Sequence, residues 1–323
     1  MSYSYNNIVA KKAPKSIEAL SSIILADEAP TDMTFEHVKE VDSTIIQNLL
    51  SAEECDALMS ACDAIGWSFW GDADTGGSEA EAAADTSVED EKKRAARSFR
   101  SADTIEVDLP SLTARIWNRL ERCLLRPKVV ITPEDEASYE RDAEGEWHAS
   151  GLNPNCLFAR YLEGGHFAPH IDGTTSTTFN ERSQYTLLVY LCDCDVGGET
   201  FFMTGDQREV LTKDESSGKM VGNGKNIVAS VKPKKGSAVV FFHDVLHEGS
   251  PVGSGGQHKK VIIRGDVMYR RMPPQYDEPK DREAFERYQK ARVMEADGDA
   301  MGAMKLFQSI RKLSPGIADV YQL

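Results

Sequence analysis

Between Leu157 and Tyr269 the chain breaks into six short runs rich in β-branched and aromatic residues: LFARYL, YTLLVYL, ETFFMT, NIVASVK, SAVVFFH and KKVIIRGDVMY. Turns rich in glycine, proline, Asn or Asp (EGG, DVGG, VGNGKN, KPKKG and PVGSGGQ) punctuate this stretch. Strands this short cannot bury their faces alone. They are stable when stacked in layers, so the pattern predicts a β-sandwich or barrel. Helices flank it. LLSAEECDALMSACDAIGW carries the capping-box pair Ser51 and Glu54, followed by Leu58, Met59, Cys62 and Ile65 at helical spacing. VDLPSLTARIWNRLERCLL offers Asp108 as N-cap, Pro110 in the first turn, and Leu112, Ile116 and Leu120 on one face. Both helices are expected to buttress the sheet.

The tail, REAFERYQKARVMEADGDAMGAMKLFQSIRKLSP, predicts two amphipathic helices around the turn EADGD. It is similar to one tetratricopeptide-type unit, with Ala291, Gly298, Ala303 and Pro315 at matching places. One repeat cannot bury its faces as a solenoid does, so a helical hairpin packed on the β body is expected. The 323 residues then divide into an N-terminal segment (1–36, expected to be partly disordered), a helical support region (37–132), a β domain (150–272) and a helical hairpin (278–323). Within the support region, 71–93 reads as an acidic insertion; GDADTGGSEAEAAADTSVEDE is nearly free of large apolar residues and is expected to be disordered.

With 41% hydrophobic and 28% charged residues, the composition is that of a soluble globular protein. A net charge of −15 argues against binding nucleic acid through its phosphates. No apolar run reaches the ~18 residues of a membrane helix, and MSYSYNNIVAKK is no secretory signal. The expected location is therefore cytoplasmic or nuclear, with the six cysteines as reduced thiols. Cys192 and Cys194 form one C-x-C with no second pair, which reads as a strand end rather than a metal site.

The chemistry concentrates in RYLEGGHFAPHIDG, Arg160 to Gly173. His170 and Asp172 stand two apart, a spacing that puts both side chains on one face of a strand. A third metal ligand must come from elsewhere, and SAVVFFHDVLHEGSPV offers His243 and His247. His247 is preferred, because it ends the apolar strand and precedes the turn Glu248-Gly249. Two His and one carboxylate with open positions form the facial triad of non-haem Fe(II) oxygenases. His148 and His166 lack a partner at strand spacing and read as polar loop residues.

Taken together, RYLEGGHFAPHID, TLLVYLCDCDVGGETFF, VKPKKGSAVVFFHDVLHEGSPV and KVIIRGDVMY resemble the prolyl 4-hydroxylase-like branch of the Fe(II)/2-oxoglutarate dioxygenases. The resemblance runs from about Asn153 to Tyr269, and more weakly back to LLSAEECDALM. It implies an α+β chain built on a double-stranded β-helix (jelly-roll) barrel in which His170, Asp172 and His247 bind iron. It also implies that the G-G-x-T turn leads into a barrel strand and that Tyr190 reaches the 2-oxoglutarate cosubstrate, with Tyr161 a second pocket residue. The family places a Lys or Arg for the cosubstrate's remote carboxylate on the strand after the distal His. Lys260 fits that position, while Arg264, four residues on, has the bidentate chemistry and is preferred here.

The implied activity is oxidation, most simply hydroxylation, of a C–H bond in a prolyl, peptide or small amino-acid-like substrate. It would consume O2 and 2-oxoglutarate, release succinate and CO2, and respond to ascorbate as a stimulant. Asp172 occupies the place that halogenases of this class leave open with Gly or Ala. Cyclisation or desaturation on the same site, or a catalytically silent interaction module, are the alternatives. A zinc hydrolase would leave Tyr190 and the strand cation without a role. Trp67, Phe69 and Trp70 are candidates for core or for a pocket cover, and Arg97 and Arg100 for surface charge or an anion contact.

Overall fold

The computed structural model describes residues 18–69, 86–135, 141–255 and 258–323. Among these, the six β runs form the strands Asn155–Tyr161, Glu181–Tyr190, Thr200–Met203, Ile227–Val231, Ala238–Phe242 and Lys260–Arg271. Two short strands join them, His166–His170 and His247–Gly249. The chain passes back and forth between two sheets whose strand pairs are antiparallel. In the larger sheet, Ala238–Phe242, Glu181–Tyr190, Lys260–Arg271 and Asn155–Tyr161 are neighbours in that order. In the smaller, Ile227–Val231, Thr200–Met203, His247–Gly249 and His166–His170 are. This mixed architecture of helices and antiparallel sheets is consistent with a jelly-roll fold.

The period of two along each central strand decides what lies on either side of the larger sheet. Tyr185, Leu187 and Val189 join a core with Leu58 and Cys62 of helix Ala52–Ile65 and Leu112, Ile116 and Leu120 of helix Pro110–Leu120. Leu188 and Tyr190 point the other way, into a core shared with Phe202 and Val231 of the smaller sheet. Lys260–Arg271 divides likewise, with Val261 and Ile263 toward the helices and Ile262 between the sheets.

The capping box is present in full: the Ser51 hydroxyl accepts from Glu54 N–H, and the Glu54 carboxylate accepts from Ser51 N–H. That carboxylate also receives two hydrogen bonds, 2.7 and 2.8 Å, from Arg119, whose side chain is fully buried and donates to the Leu49 and Ala26 carbonyls. Glu54→Ala would lose the cap and strand a buried guanidinium. Breaking such a pair costs ~3–5 kcal/mol. Urea or thermal melts should show that loss, and a change below about 1 kcal/mol, the worth of a surface ion pair, would contradict this role.

Several expectations are corrected. The support region is not helical alone. Ser43–Gln47 and Asp103–Asp108 extend the larger sheet, and Thr34–Val38 pairs with the first of them. Leu20 and Leu25 of the N-terminal segment are buried in the core, so 18–36 is not a disordered arm; 1–17 lie outside the described residues. Most of the acidic insertion, 71–85, also lies outside them, but Thr86–Phe99 is an α-helix, so its end is not disordered. The second helix is capped at Leu109 rather than Asp108, with Pro110 at its first position.

The tail folds as helices Pro279–Ala296 and Ala300–Leu313, which pack on each other, followed by a short helix Pro315–Val320. Ala291 and Ala303 are buried, and Gly298 turns the chain at φ +86°. Phe285, Ile310 and Ile317 close over Phe179, which precedes strand Glu181–Tyr190, and Gln289 donates to the Ser176 carbonyl. No helix among the described residues is long and apolar enough to cross a membrane. All six cysteines are buried free thiols.

Candidate metal centre

Strand His247–Gly249 pairs with strand His166–His170 so that His247 and His170 stand directly opposite each other. Their rings lie 4.2 Å apart between centroids. Asp172 follows just past the strand, its N–H donating to the His243 carbonyl at 3.0 Å. Its carboxylate oxygens lie 3.8 Å from His170 Nε2 and 3.6 Å from His247 Nε2. Among the described residues this is the one cluster of three or more His, Cys, Asp or Glu side chains whose donor atoms could hold a metal ion, all within 4.8 Å of one another.

The tautomers suit a metal. His170 Nδ1 is 2.8 Å from the Ala168 carbonyl and His247 Nδ1 is 2.9 Å from the Val245 carbonyl. A carbonyl only accepts, so both Nδ1 atoms carry the proton and both Nε2 atoms present lone pairs toward Asp172. Phe167 stacks on the His170 ring at 3.6 Å, and Phe241 meets the His247 ring edge-on at 4.6 Å. Burial, with the neighbouring His247, pushes the His170 imidazolium down to about 3, and burial also lowers that of His247. For Asp172, burial opposes ionisation but is outweighed by nearby positive charge, Arg264 foremost, which holds the carboxyl below the usual range. Two neutral imidazoles and one carboxylate thus converge. That donor set fits Fe(II) or another divalent first-row metal.

The two candidate cations lie on one face of strand Lys260–Arg271 but in different surroundings. Arg264 stands beside the triad, its guanidinium 3.8 Å from Asp172 and 3.1 Å from Asp266. Lys260 is 3% exposed and donates to the Thr200 hydroxyl at 3.2 Å. The Tyr190 hydroxyl, fully buried, shares that Thr200 oxygen at 2.8 Å. Lys260 Nζ also lies 5.6 and 5.7 Å from the Tyr161 and Tyr190 ring centres. A Cβ added to Gly249, two residues past His247, would sit 3.6 Å from Lys260 Nζ.

Among the described residues no carboxylate lies within 4 Å of Lys260 Nζ, and Glu199 acts on it only from farther away. Burial accordingly pushes its ammonium down to about 8. A buried cation with no carboxylate in contact fits a cosubstrate carboxylate. The preference for Arg264 as anchor does not fit this placement, since its guanidinium already faces two carboxylates beside the triad.

Other candidates fall where packing puts them. His166 is not a loop residue; it opens its strand fully buried, 2.9 Å from the Ser98 carbonyl. His148 pairs with Glu146, away from the triad. Phe69 is core, with Arg97 stacked over it, and Trp67 lies under Arg160; Trp70 is outside the described residues. Arg100 is closer to the site than a surface charge, lying over the Phe167 ring that stacks on His170. Sequence reasoning missed Thr200 and Thr186. The T of the G-G-x-T turn signalled the first, and a lone threonine inside the apolar run YTLLVY signalled the second.

Residues 156–265 match the family model of the 2OG-Fe(II) oxygenase superfamily. Over these residues the chain is similar to 2OG-Fe(II) oxygenase domains, and within that superfamily it resembles the prolyl 4-hydroxylases. A probable prolyl 4-hydroxylase 7 of Arabidopsis thaliana is 29% identical over 110 residues, 33% of each chain, so the match spans about a third of that relative's length. A solved prolyl-4-hydroxylase of Pseudomonas putida is 16% identical with a TM-score of 0.39, covering 72% of this chain and 94% of its own. A prolyl hydroxylase of Trichoplax adhaerens, solved with a hypoxia inducible factor peptide fragment, is 15% identical with a TM-score of 0.37 over 73% and 89%.

Proposed function

We propose that the chain is an Fe(II)- and 2-oxoglutarate-dependent dioxygenase that hydroxylates a C–H bond of a prolyl, peptide or small amino-acid-like substrate. The observation that carries this reading is the pairing of two features. One is a His-Asp-His set whose imidazoles are both held with Nε2 bare. The other is a buried Lys260 on the adjoining face with no carboxylate in contact. In this reading the two sheets are a double-stranded β-helix, with 150–272 as the catalytic domain, 37–132 as its support and 278–323 as a helical cover.

His170, Asp172 and His247 would hold the metal. Fe(II) bound there would couple oxidative decarboxylation of 2-oxoglutarate by O2, giving succinate and CO2, to insertion of the other oxygen atom into the substrate. The chain's own residues prepare for this. The Ala168 and Val245 carbonyls keep both Nδ1 protons in place, and Phe167 and Phe241 keep water from the imidazole faces. Lys260 takes the remote carboxylate, and the Thr200 and Tyr190 hydroxyls supply hydrogen bonds around it. Arg264, 27% exposed beside the triad, is left to face the substrate, and a neutral acceptor such as a peptide carbonyl suits a guanidinium that already faces two carboxylates.

The test is succinate release from 2-oxoglutarate by purified chain, with Fe(II) and ascorbate, against a panel of prolyl peptides, other peptides and free amino acids. Iron-dependent succinate that one class stimulates is expected. No succinate with any member, together with no binding of 2-oxoglutarate, would overturn the reading.

A further inference from the structure

Behind the Asp172 carboxylate runs a chain of buried polar groups. The Thr186 hydroxyl is 2.5 Å from Asp172 Oδ2 and 2.9 Å from His243 Nδ1. His243 Nε2 is 2.9 Å from the Ser183 hydroxyl, which accepts from Thr175 N–H at 2.8 Å. Thr186 and Ser183 are fully buried and His243 is 2% exposed.

With the buried His243 ring neutral, the proton positions follow from donor and acceptor chemistry. An ionised carboxylate only accepts, so Thr186 must donate to Asp172. Its one proton is then spent, so it must accept from His243, whose Nδ1 carries hydrogen. In the neutral ring Nε2 is bare and accepts from Ser183, which in turn accepts from the Thr175 backbone. Every group is satisfied in one direction of donation, ending on Asp172. The His243 backbone grips the same residue from the other side, through the bond from Asp172 N–H to the His243 carbonyl. Both ring nitrogens of His243 are therefore occupied, which accounts for its not being the third ligand.

We infer that Thr186 and His243 are positioning residues for the metal, fixing the rotation of the Asp172 carboxylate and engaging one of its oxygens. This inference rests on the reading of Asp172 as a metal ligand. With Oδ2 held by a hydroxyl, the carboxylate favours meeting the metal through one oxygen, which leaves room for cosubstrate and oxygen. Outer partners of this kind typically contribute ~10–100-fold in metal affinity.

The experiment uses the full chain and Co(II) as probe, reading the dissociation constant by chelator competition and the visible absorption of the bound ion. Thr186→Val should weaken Co(II) by roughly 10–100-fold and alter its spectrum, while Thr186→Ser, which keeps the hydroxyl, should restore both. His243→Leu should follow Thr186→Val, and His243→Asn, whose amide can donate as Nδ1 does, should fall nearer the wild type. Should Thr186→Val not fold, the His243 pair decides: equal affinity in Asn and Leu variants overturns the inference. So does a folded Thr186→Val chain that binds Co(II) like the wild type. A wild-type chain that binds no Co(II) would instead overturn the metal centre itself.

Discussion

Alanine at His170, Asp172 or His247 is expected to abolish turnover and to weaken divalent metal binding beyond the ~10–100-fold typical of outer partners. The chain should remain folded. Three donors form a facial set that leaves positions open, and each is supplied by an element with its own hydrogen bonds. His170 and His247 face each other across two registered strands, so removing either leaves no second imidazole to replace it. The nearest substitute, His243, has both ring nitrogens occupied by Thr186 and Ser183. Anaerobic isotherms with Fe(II) or Co(II), with circular dichroism as the check on folding, would measure this. A His247→Ala chain that binds metal as the wild type does would remove His247 from the site.

Lys260→Ala should nearly eliminate 2-oxoglutarate binding, and Arg264→Ala should change it only a few-fold. Truncating one partner of a buried charge pair costs ~2–5 kcal/mol, and at ~1.4 kcal/mol per tenfold the Kd rises by roughly thirty- to several-thousand-fold. The pH dependence has a definite sign. Burial lowers the Lys260 ammonium to about 8, and only the charged form binds the carboxylate. The Kd should therefore be flat at neutral pH and rise above about pH 8, by up to about tenfold per unit, since one proton is linked to binding.

Stability without cosubstrate runs the other way. The folded value lies below the ~10.4 of an unfolded lysine, so the unfolded chain binds more protons between the two. The cost of the buried charge is full below about pH 8 and fades as pH rises toward ~10.4. Added 2-oxoglutarate should accordingly raise the melting temperature more at pH 7 than at pH 9.5. A larger loss of cosubstrate in Arg264→Ala than in Lys260→Ala would return the anchor to Arg264.

Features written within a few consecutive residues are legible in the amino-acid sequence alone. The capping box at Ser51 and Glu54, the split of YTLLVYL into two faces, and the shared face of His170 and Asp172 each depend on one local period, 3.6 or 2. What depends on register and depth is not legible there. Lys260 and Arg264 share a face, but four residues of strand separate them by about 13 Å, so one lies in the closed core and the other beside the triad. Parity cannot choose between them, and guanidinium chemistry favours Arg264 without regard to depth. The same holds for the helix at Thr86–Phe99, whose composition alone promises no core.

Thr186 and His243 show the limit most clearly. In sequence they are a hydroxyl in an apolar run and a spare histidine. They become partners because strands Glu181–Tyr190 and Ala238–Phe242 pair antiparallel, setting Thr186 opposite Phe241 and His243 N–H on the Gln184 carbonyl. The residue types and local spacing determined which atoms were available to bind a metal. Only the pairing of distant strands decided which of them meet, because a register shift of one residue turns every side chain to the opposite face.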